Sequence, residues 1–308
     1  MQREYMRDSF GEVVIKGIQW YDNHPPSAVM VLAPGMAETI ERYDEFAEAM
    51  VQHGIYVYGH SHRGQGKTAC STNVSGDLQS GDWLKMKSDL QSAINHAAYD
   101  YPACPLIVLG HSMGSFLVRD LIQDGAEEVD GVILSGTSFF DPLPLIIGKW
   151  IAGLEMLVHG QRHRSRRLFQ MTFGAYNQHL ESPQTPFDWL TRDHEQVEKY
   201  RKDPSCGQIH TSRFYMEFFS NLHRILFKPD APGPKYGLPI LLLSGGQDPV
   251  GAYGEGVIKT ERYYQKLGCN TAMKLYPDGR HEMLNEINRQ EVYMDIINWI
   301  QTKIMSGS

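Results

Sequence analysis

The sequence has few cysteines and no pairing pattern among them. Only four of its 308 residues are cysteines, Cys70, Cys104, Cys206 and Cys269, and they are widely spaced. Disulfide-stabilised scaffolds are dense in cysteine, and structural zinc sites use closely spaced cysteine and histidine ligands. The composition therefore argues against both kinds of protein, indicates a reducing compartment and predicts no bound metal.

Long apolar runs and an excess of basic residues are also missing. No apolar run reaches the ~18 residues that a membrane-spanning helix needs, and the charged N-terminal segment lacks the apolar core of a signal peptide. The net charge is −7, unlike the basic surface of nucleic-acid-binding proteins. Phosphate-binding glycine loops are absent. We therefore expect a cytoplasmic protein that binds no nucleic acid and uses no cofactor.

The sequence does contain a repeated alternation of short apolar runs and amphipathic helical patterns. The apolar runs lie at residues 28–33, 55–58, 106–109, 132–134 and 240–243. The helical patterns lie at residues 43–53, 83–99, 115–124, 257–267 and 291–304. This alternation predicts an α/β fold with a mostly parallel central sheet that carries helices on both faces. Functional groups of such sheets lie at the carboxyl ends of the strands.

The alternation fails between residues 139 and 226. This segment has helical patterns, many aromatic residues and prolines, and no pattern of a buried strand. Long loops without secondary structure are uncommon inside a compact domain. We therefore predict that residues 139–226 form a helical cap, and that residues 1–138 and 227–308 form the α/β core. The alternative is a pair of unusual crossover helices with long loops.

One short motif points directly to chemistry. The sequence Gly-His-Ser-Met-Gly at 110–114 follows the apolar run 106–109 and precedes a helical pattern, which is the context of a G-x-S-x-G nucleophile turn. Flanking glycines let the neighbouring chain approach without a Cβ clash. The helix N-terminus behind the serine stabilises negative charge. The motif predicts Ser112 as a nucleophile, the alternative being a chance match in a loop.

A nucleophilic serine needs a base, and the base needs a carboxylate that orients it. In hydrolases with this turn the chain order is serine, then an acid, then histidine. Asp248 follows an apolar run, and His281 is the only histidine downstream of it. We therefore predict a triad of Ser112, Asp248 and His281. Asp278 and Glu282 lie near His281 in the sequence and are alternative partners for it.

Acyl transfer also needs N–H donors that face the developing oxyanion. One donor is expected from Met113, the residue after the nucleophile, and the second from the loop that follows an early strand. That loop contains Gly35 and Met36. We assign the second donor to Met36 and expect Gly35 to contact the substrate. The alternative for this loop is a plain glycine turn.

At these residues the sequence resembles the monoacylglycerol lipase and lysophospholipase branch of the α/β-hydrolases, often grouped with the serine aminopeptidases. The resemblance spans nearly the whole chain, is weakest in the cap, and is carried by residues 34–43, 62–66, 110–114, 247–250 and 279–282. It implies the α/β-hydrolase fold, no cofactor, and hydrolysis of carboxylic esters with an apolar portion.

Two segments depart from the family's pattern. The family usually has histidine before the glycine of the oxyanion loop, where this chain has Pro34. Its Asp-His-Arg-Gly-His-Gly segment reads Ser-His-Arg-Gly-Gln-Gly at 61–66. Proline fixes φ and donates no hydrogen bond. We therefore expect the oxyanion loop to be anchored differently here, without an effect on the triad.

The cap is expected to determine substrate choice. Its bulky residues Trp150, Leu154 and Phe173 are predicted to line an apolar substrate pocket, although large apolar side chains more often belong to a core. The expected substrates are monoacylglycerol-like or lysophospholipid-like esters, cleaved through an acyl-enzyme on Ser112. With such substrates the cap is expected to touch a membrane or micelle surface transiently.

Two other functions fit the same residues. An aminopeptidase or amidase would use the same triad and would need a carboxylate to hold the substrate ammonium, for which Glu38 and Glu155 are the candidates. A catalytically silent binding protein with a hydrolase fold would show a broken triad, and the sequence shows an intact one.

Overall fold

The fold was analysed in a computed structural model that describes residues 1–11, 13–69, 75–227 and 232–307. Cys70 lies outside these residues. The other three cysteines, Cys104, Cys206 and Cys269, carry free thiols. Within the described residues, no helix is both long and apolar enough to cross a membrane.

A single sheet of eight strands runs through the described residues in the order β1-β2-β4-β3-β5-β6-β7-β8. The strands are β1 (Gln2–Ser9), β2 (Val13–Trp20), β3 (Ala28–Ala33), β4 (Ile55–His60), β5 (Leu106–His111), β6 (Gly131–Ser135), β7 (Pro239–Gly245) and β8 (Asn270–Tyr276). The pairs β1–β2 and β2–β4 are antiparallel, and every later pair is parallel. The predicted α/β fold with a mostly parallel sheet is confirmed.

Ten α-helices surround this sheet in the described residues. They are α1 (Asp44–Gln52), α2 (Gly66–Ala69), α3 (Asp82–Asp100), α4 (Met113–Ile122), α5 (Pro142–His159), α6 (Arg166–Phe173), α7 (His194–Lys202), α8 (Ser212–Phe227), α9 (Glu255–Lys266) and α10 (Arg289–Trp299). They cover both faces of the sheet, which is why strands such as β3 and β5 are buried along their whole length. In β3, Val29 and Val31 pack into one apolar core and Met30 and Leu32 into the other.

The first strand was not predicted from the sequence. The segment Gln2–Ser9 is rich in charged residues, and most of its described side chains are exposed. It lies at the edge of the sheet and pairs only with β2. Charged side chains are common on edge strands because they discourage pairing with other chains, so an apolar pattern is not required there.

The segment predicted as a cap, residues 139–226, holds four helices and no strand among the residues that the structure describes. Its helices are α5 to α8, and α8 ends at Phe227, one residue beyond the predicted boundary. Its β-type pairing is an isolated bridge between Arg164 and Thr211. The helices α5 and α8 approach closely at Gly148, where a Cβ atom would lie 2.7 Å from the Phe219 ring. We call residues 139–226 the cap.

Candidate active site

The turn at Ser112, the predicted nucleophile, joins β5 to α4. Ser112 has φ 51° and ψ −119°, a backbone conformation that costs free energy for a residue with a side chain and is typical of functional turns. Gly114 allows this turn, because a Cβ there would lie 2.1 Å from the carbonyl oxygen of Ala33. The turn is fixed further by the Ser112 N–H, which donates to the carbonyl oxygen of Ser135 at 2.9 Å. The serine therefore lies at the carboxyl edge of the sheet, before the first turn of a helix.

His281 and Asp248 come together at the same edge from two other loops. Asp248 lies in the loop after β7, His281 lies in the loop after β8, and their Nδ1 and Oδ2 atoms are 3.0 Å apart. Both side chains are buried. An ionised Asp248 only accepts hydrogen bonds, so His281 Nδ1 carries the proton that is donated to it. In the neutral ring, Nε2 then carries no proton and can accept one.

The pKa values of this pair reflect burial opposed by mutual attraction. Burial raises the pKa of Asp248, but the charge and hydrogen bond of His281 and the backbone N–H groups of Val250 and Gly251 outweigh it, so the net pKa lies below its usual range. Burial lowers the pKa of His281, yet Asp248 and the more distant Glu282 raise the net value above its usual range. The aspartate therefore stays ionised, and His281 holds a proton more readily than an ordinary histidine does.

The alternative carboxylates have other positions. Asp278 is exposed to solvent. Glu282 is buried, but it forms a bidentate ion pair with Arg42, with both nitrogen–oxygen distances at 2.6 Å. Of the three candidates named from the sequence, Asp248 is the one whose carboxylate bonds to His281.

Ser112 and His281 line the same cleft, although no hydrogen bond joins their side chains in the described part of the chain. Such bonds are often long before a substrate binds and shorten in the complex. The ring of His111, beside the nucleophile, lies 4.8 Å from the ring of His281. Burial, and next the neighbouring His281, lower the pKa of His111 to about 3, so it adds no charge to the site near neutral pH.

In the loop after β3, which the sequence predicts as the oxyanion loop, the Met36 N–H differs from the N–H groups beside it. The N–H groups on either side are taken up by side chains: Gly35 donates to Glu38, and Ala37 donates to Gln65 Oε1 at 2.6 Å. Within the described residues, the Met36 N–H donates to no other group of the protein. Met36, Gly35 and Ser112 line the same cleft.

The anchoring of this loop accommodates the two departures from the family's pattern. The Pro34 carbonyl oxygen lies 3.1 Å from His62 Nε2. Burial, and next His60, lower the pKa of His62 to about 3, so the ring is neutral, and Nε2 must carry its proton to donate to a carbonyl. Gln65, at the family's histidine position, accepts from the Ala37 N–H. Side-chain acceptors and donors thus hold the loop without any help from a histidine at position 34.

A buried ionic cluster links the oxyanion loop to the His281 loop. Arg42 Nη1 donates to Glu38 at 2.7 Å and also pairs with Glu282. Burial raises the pKa of Glu38. Burial acts in the same direction on Glu282, but the bidentate Arg42 holds the pKa of Glu282 at about 2. Glu282 therefore carries the negative charge, and Glu38 is the carboxyl that takes up a proton first.

Two cavities meet at Ser112. The first, called the cleft, encloses about 810 Å³ including its open mouth, and the polar Glu38, Gln170, Asn177 and Glu282 contribute to its wall. The second, called the apolar cavity, encloses about 1220 Å³ on the same basis. Its wall is mostly apolar: Met36, Met113, Phe116, Phe140, Pro144, Leu145, Ile147, Gly148, Met171, Thr172, Phe173, Tyr176, Trp189, Phe218, Phe219 and Val250, with Ser112. Met36, Phe173 and Trp189 belong to both walls.

The structure separates the three cap residues that the sequence grouped as pocket lining. Phe173 lines both cavities. Trp150 and Leu154 line neither, and they are 76% and 58% exposed on the outer face of α5. The helix turns its small residues Gly148 and Ala152 inward instead. The expectation that Trp150 and Leu154 line the pocket was therefore wrong, because bulk alone does not identify the buried face of a helix.

Several residues at the site gave no signal in the sequence. The ring of Trp189 lies 5.0 Å from that of His281, yet Trp189 lies in no motif of the sequence. Glu286 and Arg192 bond to each other close to the His281 loop, and neither lies in a recognisable motif. Within the described residues, no group of three or more His, Cys, Asp or Glu side chains is arranged to hold a metal ion.

Comparison with known proteins places this geometry among known hydrolases. A sequence profile of the serine aminopeptidase S33 family matches residues 24–288, a range that includes Ser112, Asp248 and His281. A monoacylglycerol lipase of Mycolicibacterium smegmatis is 25% identical over 286 residues, which cover 91% of this chain and 90% of that protein. A monoglyceride lipase of Rattus norvegicus is 25% identical over 279 residues, which cover 87% of this chain and 84% of that protein.

A solved structure supports the same assignment of the fold. The crystal structure of a highly thermostable carboxyl esterase from Bacillus coagulans in complex with glycerol has a TM-score of 0.88 and 26% sequence identity to this chain. The match covers 98% of this chain and 99% of that one. The likeness therefore extends over the sheet and over the cap.

Proposed function

The chain belongs to the serine aminopeptidase S33 family of α/β-hydrolases, and we propose that it is a serine hydrolase that cleaves carboxylic esters with an apolar portion. One observation carries the proposal: Ser112, on a strained turn, lines the same cleft as His281, which bonds to the buried Asp248, and an apolar cavity meets the cleft at this serine. The relatives described as monoacylglycerol lipases and the esterase of similar structure agree with an ester substrate.

The proposed reaction proceeds through an acyl-enzyme on Ser112. His281 Nε2 takes the proton of the serine hydroxyl while Ser112 Oγ attacks the ester carbonyl carbon. The N–H groups of Met36 and Met113 stabilise the resulting oxyanion. When the C–O bond to the alcohol breaks, His281 returns the proton to the leaving oxygen. Water, activated in turn by His281, then hydrolyses the acyl-enzyme, and Asp248 stabilises the imidazolium in both steps.

The two cavities suggest how the substrate lies. Transfer of a fatty acyl chain from water to an apolar site is favourable by about 0.8 kcal/mol per buried CH₂ group. The apolar cavity has the apolar wall that such a chain requires. The polar side chains of the cleft suit the hydroxyl groups of a glycerol-like alcohol. Monoacylglycerol-like or lysophospholipid-like esters combine these two parts and are the substrates we propose.

An aminopeptidase activity on the same triad is the second candidate, since the family's description names it. It requires a carboxylate to hold the substrate ammonium. Glu155 accepts a hydrogen bond from Ser212 at 3.0 Å and is not part of either cavity wall. Glu38 lines the cleft, but Arg42, Tyr43 and the Gly35 N–H already occupy its oxygens. These contacts favour the ester over the amino-terminal peptide as substrate.

The outer face of α5 supports transient contact with a lipid surface. Its exposed apolar side chains are Leu143, Ile146, Ile147, Trp150, Leu154, Leu157 and Val158. Ile147 also belongs to the wall of the apolar cavity, so the exposed face continues into the proposed acyl site. Exposed Arg162, Arg164, Arg166 and Arg167 follow the helix, and basic residues beside an apolar helix face favour anionic lipid surfaces. We propose that substrate is taken from a membrane or micelle at this face.

Steady-state kinetics on three substrates test the proposed function. The wild type should hydrolyse a monoacylglycerol and p-nitrophenyl acetate and should leave an aminoacyl anilide nearly untouched. Ser112→Ala should remain folded and lose about 10⁴-fold or more in kcat on both esters. A faster anilide reaction would favour the aminopeptidase, and a folded wild type without activity on any of the three would favour a silent binding protein.

A further inference from the structure

The loop that carries His281 rests on a segment of the cap. The backbone N–H groups of His281 and Glu282 donate to the carbonyl oxygens of Trp189 and Leu190, at 3.4 and 2.7 Å. These contacts are backbone hydrogen bonds between two irregular segments, and they do not belong to the sheet. The position of the His281 loop therefore depends on residues 188–192, outside the α/β core.

One buried carboxylate joins the same two segments. The side chain of Glu286 is fully buried, and Oε1 accepts the backbone N–H of Arg280 at 2.9 Å and that of Arg192 at 3.2 Å. Its Oε2 accepts Arg192 Nε at 3.0 Å and the Ile287 N–H at 2.9 Å. A buried charge is tolerated only when such partners replace water, so these bonds fix the geometry of the junction.

The bonds of Glu286 connect the loop of the proposed base to the cap. Arg280, whose N–H it accepts, immediately precedes His281. Arg192 belongs to the cap segment, and its Nη2 also reaches Asn288 Oδ1 at 3.0 Å. One side chain thus ties the residue before the proposed base to the cap.

We propose that Arg192 and Glu286 form a clasp that holds the His281 loop in its working position, which makes both of them positioning residues for the proposed ester hydrolysis, on which this inference rests. Neither residue lines the cleft or the apolar cavity, so neither contacts the substrate. Their effect acts through the orientation of His281 toward Asp248 and Ser112. Misplacing a reacting group by about 1 Å can cost ~10²-fold in rate.

Arg192→Ala is the main variant, because the Arg192 side chain is 25% exposed and its loss disturbs the core little. Glu286→Gln removes the charge and replaces one of the two acceptor oxygens with an NH₂ donor, and Arg192→Lys restores a cation next to the carboxylate. The matched control is Arg213→Ala. Arg213 also joins the cap to the core, through Asp77 Oδ1 at 2.6 Å, but it lies far along the chain from the His281 loop.

The assay uses p-nitrophenyl acetate, whose short acyl group does not fill the apolar cavity. We expect Arg192→Ala and Glu286→Gln to lower kcat about tenfold or more, with KM changed by less than about twofold. We expect Arg192→Lys to recover part of the loss and Arg213→Ala to show none. The losses of the two single changes should add only in part, because both break the bond between Arg192 Nε and Glu286.

The pH profile separates a positioning role from a merely stabilising one. The charged and titratable groups that face His281 are Asp248, Glu282, Glu38 and His111. If the loop loosens, the contact with Asp248 weakens while burial remains, and burial favours the neutral ring. The apparent pKa of kcat/KM should therefore fall in Arg192→Ala and stay at the wild-type value in Arg213→Ala.

The clasp is overturned if folded Arg192→Ala keeps the wild-type kcat and apparent pKa, or if Arg213→Ala shows the same losses. Should Glu286→Gln fail to fold, Arg192→Ala decides alone. The rate at which a fluorophosphonate labels Ser112 provides the same comparison without any ester. If the wild type hydrolyses no ester, the proposed function fails, and the labelling rates of the variants still test the clasp.

Discussion

At the scale of single residues, the proposed chemistry depends most on the contact between His281 and Asp248. Burial by itself would lower the pKa of the histidine, and the ionised aspartate 3.0 Å away reverses that effect. His281, the proposed base, therefore accepts a proton more strongly than a free imidazole does, while Asp248 stays charged because its own pKa is lowered. This balance gives a testable pH dependence.

We predict that kcat/KM rises with pH through an apparent pKa above ~6.5, the ordinary histidine value. The sign follows because only the neutral ring can accept the serine proton, and a raised pKa delays its formation to higher pH. The measurement is kcat/KM for p-nitrophenyl acetate between pH 5 and 9. A profile that is flat over this range, or a midpoint well below 6.5, would show that His281 is not the base.

Asp248→Asn supplies the control for that profile. An asparagine keeps the shape of the side chain but removes the charge, so kcat should fall by about 10⁴-fold and the residual apparent pKa should move down. The same linkage affects stability: because the pKa of His281 is raised in the folded state, its contribution is present below the unfolded pKa and is lost as pH rises through the folded value.

At the scale of elements, the cap helices contribute to the site unequally. The ring of Phe173 stacks 5.9 Å from that of Trp189 and lines both cavities. Trp150 and Leu154 point to solvent on α5. The inner residues should therefore affect which acyl chain fits, and the outer residues should affect only contact with lipid surfaces.

We predict that Phe173→Ala shifts the preferred acyl chain toward greater length and changes KM by tens of fold at most, since a misfitted methylene costs ~1–3 kcal/mol. Trp150→Ala and Leu154→Ala should keep the wild-type profile on dissolved esters. The measurement is kcat and KM for p-nitrophenyl esters from C2 to the longest soluble chain. An unchanged chain-length profile in Phe173→Ala, together with an altered profile in Trp150→Ala, would contradict the assignment of Phe173 to the acyl site and of Trp150 to the outer surface.

We predict that Trp150→Ala weakens binding to vesicles that contain anionic phospholipid by about tenfold or more, because burial of a large apolar side chain contributes ~1.5–3 kcal/mol. Tyr99→Ala is the matched control: the Tyr99 side chain is 84% exposed, but it lies on α3, a helix outside the cap. Co-sedimentation with vesicles measures the effect. Equal binding by Trp150→Ala and the wild type, or an equal loss in Tyr99→Ala, would contradict the proposed contact.

At the scale of the whole molecule, the parts that follow local rules could be predicted and the parts that depend on tertiary contacts could not. The parallel strands and the turn at Ser112 follow from apolar runs and flanking glycines. The edge strand Gln2–Ser9 has no apolar pattern because an edge strand does not require one. The buried face of α5 could not be identified from the sequence because the helix is apolar on nearly all sides. The contact between Glu286 and Arg192 could not be predicted either, because the two residues are far apart in the sequence and only the fold brings them together.

The cap contacts the loop of the proposed base, which its sequence did not indicate. The expectation was that residues 139–226 would affect substrate choice alone. The bonds from the His281 loop to Trp189 and Leu190 join one part of the cap to the proposed base. A substitution in that part should therefore change kcat as well as chain-length preference, whereas one on the outside of α5 should not.

The central claim is that Ser112 is the nucleophile of an ester hydrolase. Its most direct test is to label the wild type with a fluorophosphonate, follow the loss of esterase activity, and locate the adduct by mass spectrometry of the digested protein. We predict one adduct, on the peptide that carries Ser112, and a loss of activity in proportion to the labelled fraction. Full labelling with activity retained, an adduct on another residue, or ester hydrolysis by a protein that takes no label would contradict the claim.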